Sequence, residues 1–202
     1  FLTVRLGQGQ MPSPNIISIP KERFSLVDDN LAEEPANIKN EYDILKDVPV
    51  CISLTEHNLV GVIGEPAAVY GYIPQIMAAQ IATCHSYTDV RMAFIYNEKH
   101  ARSFEFAKWL PHTWNEDGSF RMIACDKNGV GELFYNLSSM LRTRLEEKED
   151  PSEAVRSLPH YVIFIADPSL VENEAVMKYI SAPTAQMGIT TVLLYEQIDR
   201  LP

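Results

Sequence analysis

The sequence predicts a three-layer α/β sandwich around a mostly parallel sheet, and three observations carry that expectation. From about Val48 onward, short apolar runs alternate with segments of helical periodicity. One run, Tyr161-Val162-Ile163-Phe164-Ile165-Ala166, is uninterrupted by charge, the pattern of a strand covered on both faces in the middle of a parallel sheet. Strand–helix–strand connections close as right-handed crossovers, which lay helices on the sheet faces.

The first fifty residues have a different texture. Phe1-Leu2-Thr3-Val4-Arg5-Leu6 and Asn15-Ile16-Ile17-Ser18-Ile19 read as short strands around the turn-rich Gly7 to Pro14. Between Pro35 and Leu45, Ile38, Tyr42 and Leu45 fall on one helical face. Residues 1–47 are therefore expected to form a small β-rich lead-in with a short helix packed on the core, and residues 48–202 the main domain.

In the main domain, Val50 to Leu54 and Leu59 to Ile63 are strands, and Tyr72 to His85 is a helix with Ile73, Ile76, Met77, Gln80 and Ile81 at three- and four-residue spacing. Arg91 to Tyr96 is a strand, Ser103 to Leu110 a short helix, and Arg121 to Cys125 another strand. A long helix from about Gly129 to Glu149 sets Leu133, Leu137, Met140, Leu141 and Leu145 on one stripe and stops before Pro151. After the central strand, a helix from about Asn173 to Ile180 leads to a last strand, Thr190 to Tyr195. Five strands alternating with helices are expected.

Composition narrows function. A chain of 202 residues with 46 % hydrophobic and 22 % charged content folds around a core. Seventeen basic against 27 acidic residues, a net charge of -10, argue against nucleic-acid backbones and against direct contact with anionic lipid. No apolar stretch is long enough to span a membrane, and no secretory signal is visible. Cys51, Cys84 and Cys125 are widely spaced among apolar neighbours and read as buried small hydrophobes in a reducing compartment. The chain opens on Phe1 and stops at Leu201-Pro202, which suggests a piece excised from a longer protein.

The stretch from Leu59 to Tyr72 has the layout of a phosphate loop: an apolar strand, a glycine, a loop and a helix, so that N–H groups at the helix start wrap an anion. A working loop ends in Gly-Lys-Ser/Thr. Here the candidate positions are Gly64, Glu65, Pro66, Gly71 and Tyr72, with neither lysine nor hydroxyl. Pro66 lacks an N–H and Glu65 adds negative charge. The loop is expected to be structural, with weak binding of a nucleotide, another anion or a peptide as the alternative. The central strand ends in Asp167, the form of a magnesium-orienting acid, yet Pro168 stands where a water-activating glutamate belongs. A strand-end acid capping the next turn explains Asp167 equally well.

Other candidates have plainer readings. His85-Ser86-Tyr87-Thr88-Asp89 is too compact for a catalytic relay and is expected to be local capping. The aromatic stretch Trp109 to Trp114 is either a partner anchor or a flap folded on the sheet edge. His112 and His160 lack ligands at metal spacing, so no metal is expected.

Six phrases in fixed order carry a resemblance: Phe1 to Gly7, Asp47 to Val50, Val60 to Gly64, His85 to Val90, Trp109 to Trp114 and Leu158 to Ile163. Together they resemble the cytosolic segment after the transmembrane helices in the FtsK/SpoIIIE-type ATPase of bacterial type VII secretion systems, over nearly the whole chain. The resemblance implies a P-loop NTPase-like, RecA-like sheet and a membrane-anchored multimer of ATPase-like modules in series that exports small helical proteins. It implies the degenerate module nearest the membrane, on its cytoplasmic face, partnered by other modules and subunits and by membrane components. ATP and magnesium belong to the active modules, with no cofactor for this one. A weak nucleotide-binding regulatory module is the alternative, and an orphan hydrolase using His85 or His112 a distant third.

Overall fold

The computed structural model describes residues 1–19, 31, 33–147, 158–172, 174–177 and 188–197, without the side chains of 145–147. Two compact units are present, one of residues 5–52 and one of residues 1–4 with 53–202.

In the smaller unit, β1 (Thr3–Pro12) pairs with β2 (Ile44–Ser53), and α1 (Glu34–Tyr42) lies between them in sequence. The expected break at Gly7 is absent, because the strand runs through the Gly-Gln alternation, where Gln8 donates its side-chain N–H to the Asp47 carbonyl at 2.9 Å. Residues 15–19 form no strand; the chain turns at Ser13, whose N–H donates to the Asp43 carbonyl. The apolar face expected on α1 is not a core face: the helix ends at Tyr42, Ile38 and Tyr42 are about half exposed, and Leu45 belongs to β2.

The larger unit is a five-stranded parallel sheet in the order β3 (Leu59–Ile63), β7 (Ile189–Tyr195), β6 (His160–Ile165), β4 (Val90–Ile95), β5 (Ile123–Ala124). The central strands β6, β4 and β7 are buried at every position, as their apolar sequences require. Helix α2 (Ile73–Cys84) carries the chain from β3 across β7 and β6 to β4, and α3 (Lys127–Glu147) carries it back from β5 across β4 to β6. These crossovers run in opposite senses, so right-handedness puts the two helices on opposite faces. The expected helix from Asn173 to Ile180 falls mostly outside the described residues.

Each face has its own core. Val130, Leu133, Phe134, Leu137 and Leu141 of α3 pack with Ala93, Ile95, Tyr161, Ile163, Ile165 and Leu193, the alternate residues of three neighbouring strands. On the intervening positions Phe94 stacks on Phe164 with centroids 4.9 Å apart, and Phe104 and Phe106 close over Phe94 at 5.9 and 5.6 Å. Edge-on and offset ring pairs of this kind add to the burial of large apolar area.

His160 occupies the amino end of β6 and is nearly inaccessible. Its Nε2 donates to Thr190 Oγ1 at 2.9 Å, and the Thr190 hydroxyl donates in turn to the Leu54 carbonyl. Burial, reinforced by the nearby Arg144 guanidinium, pushes the His160 pKa down to about 4, so the ring is neutral in the folded protein. The cysteines depart from expectation: Cys51, Cys84 and Cys125 are all exposed.

Candidate functional site

In a parallel α/β sheet, ligands gather beyond the carboxyl ends of the strands where successive connections diverge. That point lies here between β4 and β6, since β4 connects outward to β5 while β6 connects the other way to β7. A cleft of about 980 Å³ opens there, bounded by Asn97 after β4, Asp167 after β6, Glu196 after β7 and Tyr70 from the segment after β3. Its size falls in the range of small-molecule pockets.

The segment after β3 is not an open loop. Gly64 and Glu65 make the only non-helical link before a helical stretch that includes a π-helical turn at Ala68–Tyr72 and continues into α2. The Gly64 N–H donates to the Tyr195 carbonyl, and the Ala68 and Val69 N–H groups both donate to the Glu65 carbonyl at 2.9 and 3.0 Å. These three donors are committed within the protein rather than aimed at an anion. Neither glycine is needed for its conformation: a Cβ on Gly64 would meet Val69 at an ordinary 3.6 Å, and one on Gly71 would meet nothing within 4 Å. Phosphate cradles often use glycine because the backbone adopts positive φ; neither Gly64 nor Gly71 does so here. Tyr70 is buried with its ring stacked on His100 at 3.9 Å, whereas Tyr72 points outward and is 66 % exposed.

Asp167 has both carboxylate oxygens engaged. Oδ1 accepts from the Ser169 N–H at 3.1 Å and the Ser169 hydroxyl at 2.7 Å, while Oδ2 accepts from the Asn97 side-chain N–H at 2.7 Å. Burial alone pushes its pKa up, but these hydrogen bonds outweigh it and hold the group below the usual value of 3.8. The geometry is that of a side-chain cap on the 3-10 turn Pro168–Leu170, tied across to the neighbouring strand. His100 has its pKa lowered by burial despite the nearby Asp167 and Glu196. Tyr195 is raised, first by burial and then by Glu172. Asn97, His100, Glu172 and Glu196 escaped sequence reasoning. Asn97 left one sequence signal, a polar residue ending the apolar run beside the central strand.

The remaining candidates stay apart from the cleft. Ser86, Thr88 and Asp89 hydrogen-bond among themselves in one turn, and His112 is buried with Nε2 at 2.9 Å from the His85 carbonyl. The described residues hold no group of three potential metal ligands. The aromatic stretch divides: Trp114 is half-buried beneath the Arg121 guanidinium at 4.2 Å, and Trp109 stands out at 82 % exposure.

This sheet with its helical layers matches the fold of solved EccC ATPase domains. It superposes on the cytoplasmic domain of the Thermomonospora curvata type VII secretion ATPase EccC with a TM-score of 0.54 and 13 % identity, covering 74 % of this chain and 17 % of that one. A second EccC structure from that organism, ATPases 2 and 3 in complex with a signal sequence peptide, gives 0.51 and 12 %, covering 74 % and 27 %. Over its whole length the chain is homologous to the EccC, YukB and EssC proteins of type VII secretion systems. It is 30 % identical over 203 residues to the ESX secretion system protein EccC of Geobacillus thermodenitrificans and 26 % identical over 202 residues to YukB of Bacillus subtilis. With EssC of Staphylococcus aureus the identity is 22 % over 205 residues. All of this chain is covered in each case, but only 13 to 14 % of each relative's length. No family model matches the chain. No described helix is long and apolar enough to cross a membrane.

Proposed function

We propose that the chain is a non-catalytic ATPase-like module of a type VII secretion motor, joining the membrane region to active motor modules on the cytoplasmic face and offering surface to neighbouring subunits. The observation that carries this reading is the helical stretch from Pro66 onward, which occupies the place of a phosphate loop, has no lysine and commits its Ala68 and Val69 N–H groups to Glu65. Asp167 adds support, because both its oxygens are already engaged by Asn97 and Ser169 as a cap on the following turn. Without a phosphate grip, the largest electrostatic contribution to phosphoryl transfer is missing, while the packed sheet needs none of those residues. ATP and magnesium then belong to other modules of the full-length motor, whose export of small helical proteins this module serves by assembly.

Calorimetric titration of magnesium-ATP into the folded chain, up to millimolar nucleotide, tests this reading. No heat of binding is expected. Saturable heat would overturn it in favour of a regulatory module that senses nucleotide.

A further inference from the structure

The cleft beyond β4, β6 and β7 is large enough for a nucleotide but lined against one. Among the described lining residues, Asp167, Glu172 and Glu196 face a single lysine, Lys99, and no arginine, and burial lowers the pKa of His100 despite the nearby carboxylates. Bringing a triphosphate here sets like charges against each other in a partly desolvated space. The inner wall is apolar, formed by Val171, Met177, Leu193 and the Tyr70 ring against His100. Glu172 and Glu196 are exposed at the rim, Glu172 close enough to Tyr195 to raise its pKa and Glu196 close enough to His100 to act on it. Asp167, held ionised by its hydrogen bonds to Asn97 and Ser169, adds its charge deeper in the cleft, and the two rim glutamates are the carboxylates an incoming group meets first.

We propose that this cleft receives a basic side chain borne on an apolar peptide segment, its aliphatic stem against the Tyr70, Val171 and Leu193 wall and its cationic head between Glu172 and Glu196. The charge of the lining selects the occupant: an arginine or lysine has the apolar stem and charged tip that such a cleft accommodates, and a guanidinium matches two carboxylates by its fork of donors. The inference rests on the non-catalytic reading, since a nucleotide in the cleft leaves no room for a peptide.

The test uses two probes on the isotopically labelled full chain: N-acetyl-leucyl-arginine amide and its citrulline counterpart, which keeps the shape and loses the charge. Amide resonances of residues 97–100, 169–172 and 193–196 are followed by two-dimensional NMR, with magnesium-ATP titrated separately. The arginine probe should shift these resonances, with the citrulline probe and the Glu172→Gln/Glu196→Gln double variant each about fivefold weaker, the scale of two exposed charge pairs. Glu34→Gln, remote in sequence on α1, should leave the titration unchanged. No response to arginine, or equal responses to arginine and citrulline, overturns the proposal while leaving the non-catalytic reading in place. A response to magnesium-ATP overturns both.

Discussion

Acid is expected to destabilise the chain through His160. In the folded protein this ring is neutral at pH 7 with a pKa of about 4, against 6.5 for an ordinary histidine, so between those values the unfolded chain binds more protons than the folded one. Stability therefore falls as pH drops through that window and is fully present only above 6.5. Each decade of proton affinity is worth about 1.4 kcal/mol, which makes the loss about 2 kcal/mol by pH 5 and about 3 kcal/mol by pH 4. For a domain whose total stability is about 5–15 kcal/mol, that is a large share. The assay is urea unfolding followed by circular dichroism at half-unit steps from pH 7 to pH 4, for the wild type and for His160→Gln. His85 and His100, whose pKa values burial also lowers, act in the same direction but in both proteins, so the difference between the two curves isolates His160. The wild type should lose about 3 kcal/mol more than the variant across this range. Parallel curves would show that the His160–Thr190–Leu54 chain of hydrogen bonds does not hold a neutral imidazole.

Three further outcomes follow from the site and the surface. Gly71→Ala lies in a helical turn with nothing within 4 Å of the added Cβ, so it should raise the urea midpoint by the equivalent of about 0.5–1 kcal/mol, where a working phosphate cradle would be expected to suffer. Asp167→Ala removes the cap on Pro168–Leu170 and the tie to Asn97, and should cost about 1–2 kcal/mol in the same measurement. Cys51, Cys84 and Cys125 are exposed, so a chromogenic disulfide reagent should titrate all three thiols without denaturant.

The sheet was legible where burial is complete. The strands β4, β6 and β7 are buried at every residue, and a strand buried on both faces writes itself as an unbroken apolar run. β1 was misread because it has few buried positions; with no core face, its Gly-Gln alternation looks like a turn. The segment from Gly64 to Gly71 suggested a loop because glycine and proline punctuate it, yet proline is tolerated in the first turn of a helix, where its missing N–H has no partner to lose. The cysteines were misjudged because apolar neighbours along the chain do not decide which way a side chain faces: Cys84 closes α2, and Cys125 follows a strand of two residues. The cleft was only half visible, since Asp167 sits on a readable strand, while Asn97, Glu172 and Glu196 reach the same place from three connections whose meeting depends on strand order.

β3 pairs only with β7 and leaves its other side as an edge of the described sheet. Leu59-Val60-Gly61-Val62-Ile63 carries no charge and no proline, and Leu59, Gly61 and Ile63 are exposed, so it lacks the usual devices that stop one edge from recruiting another. Opposing such pairing is the mutual repulsion of chains at a net charge of -10, a force that fades within about 10 Å at 0.1 M salt. Self-association of the isolated chain is therefore expected to rise with ionic strength, and a cover over this one strand, wherever it comes from, should relieve that dependence.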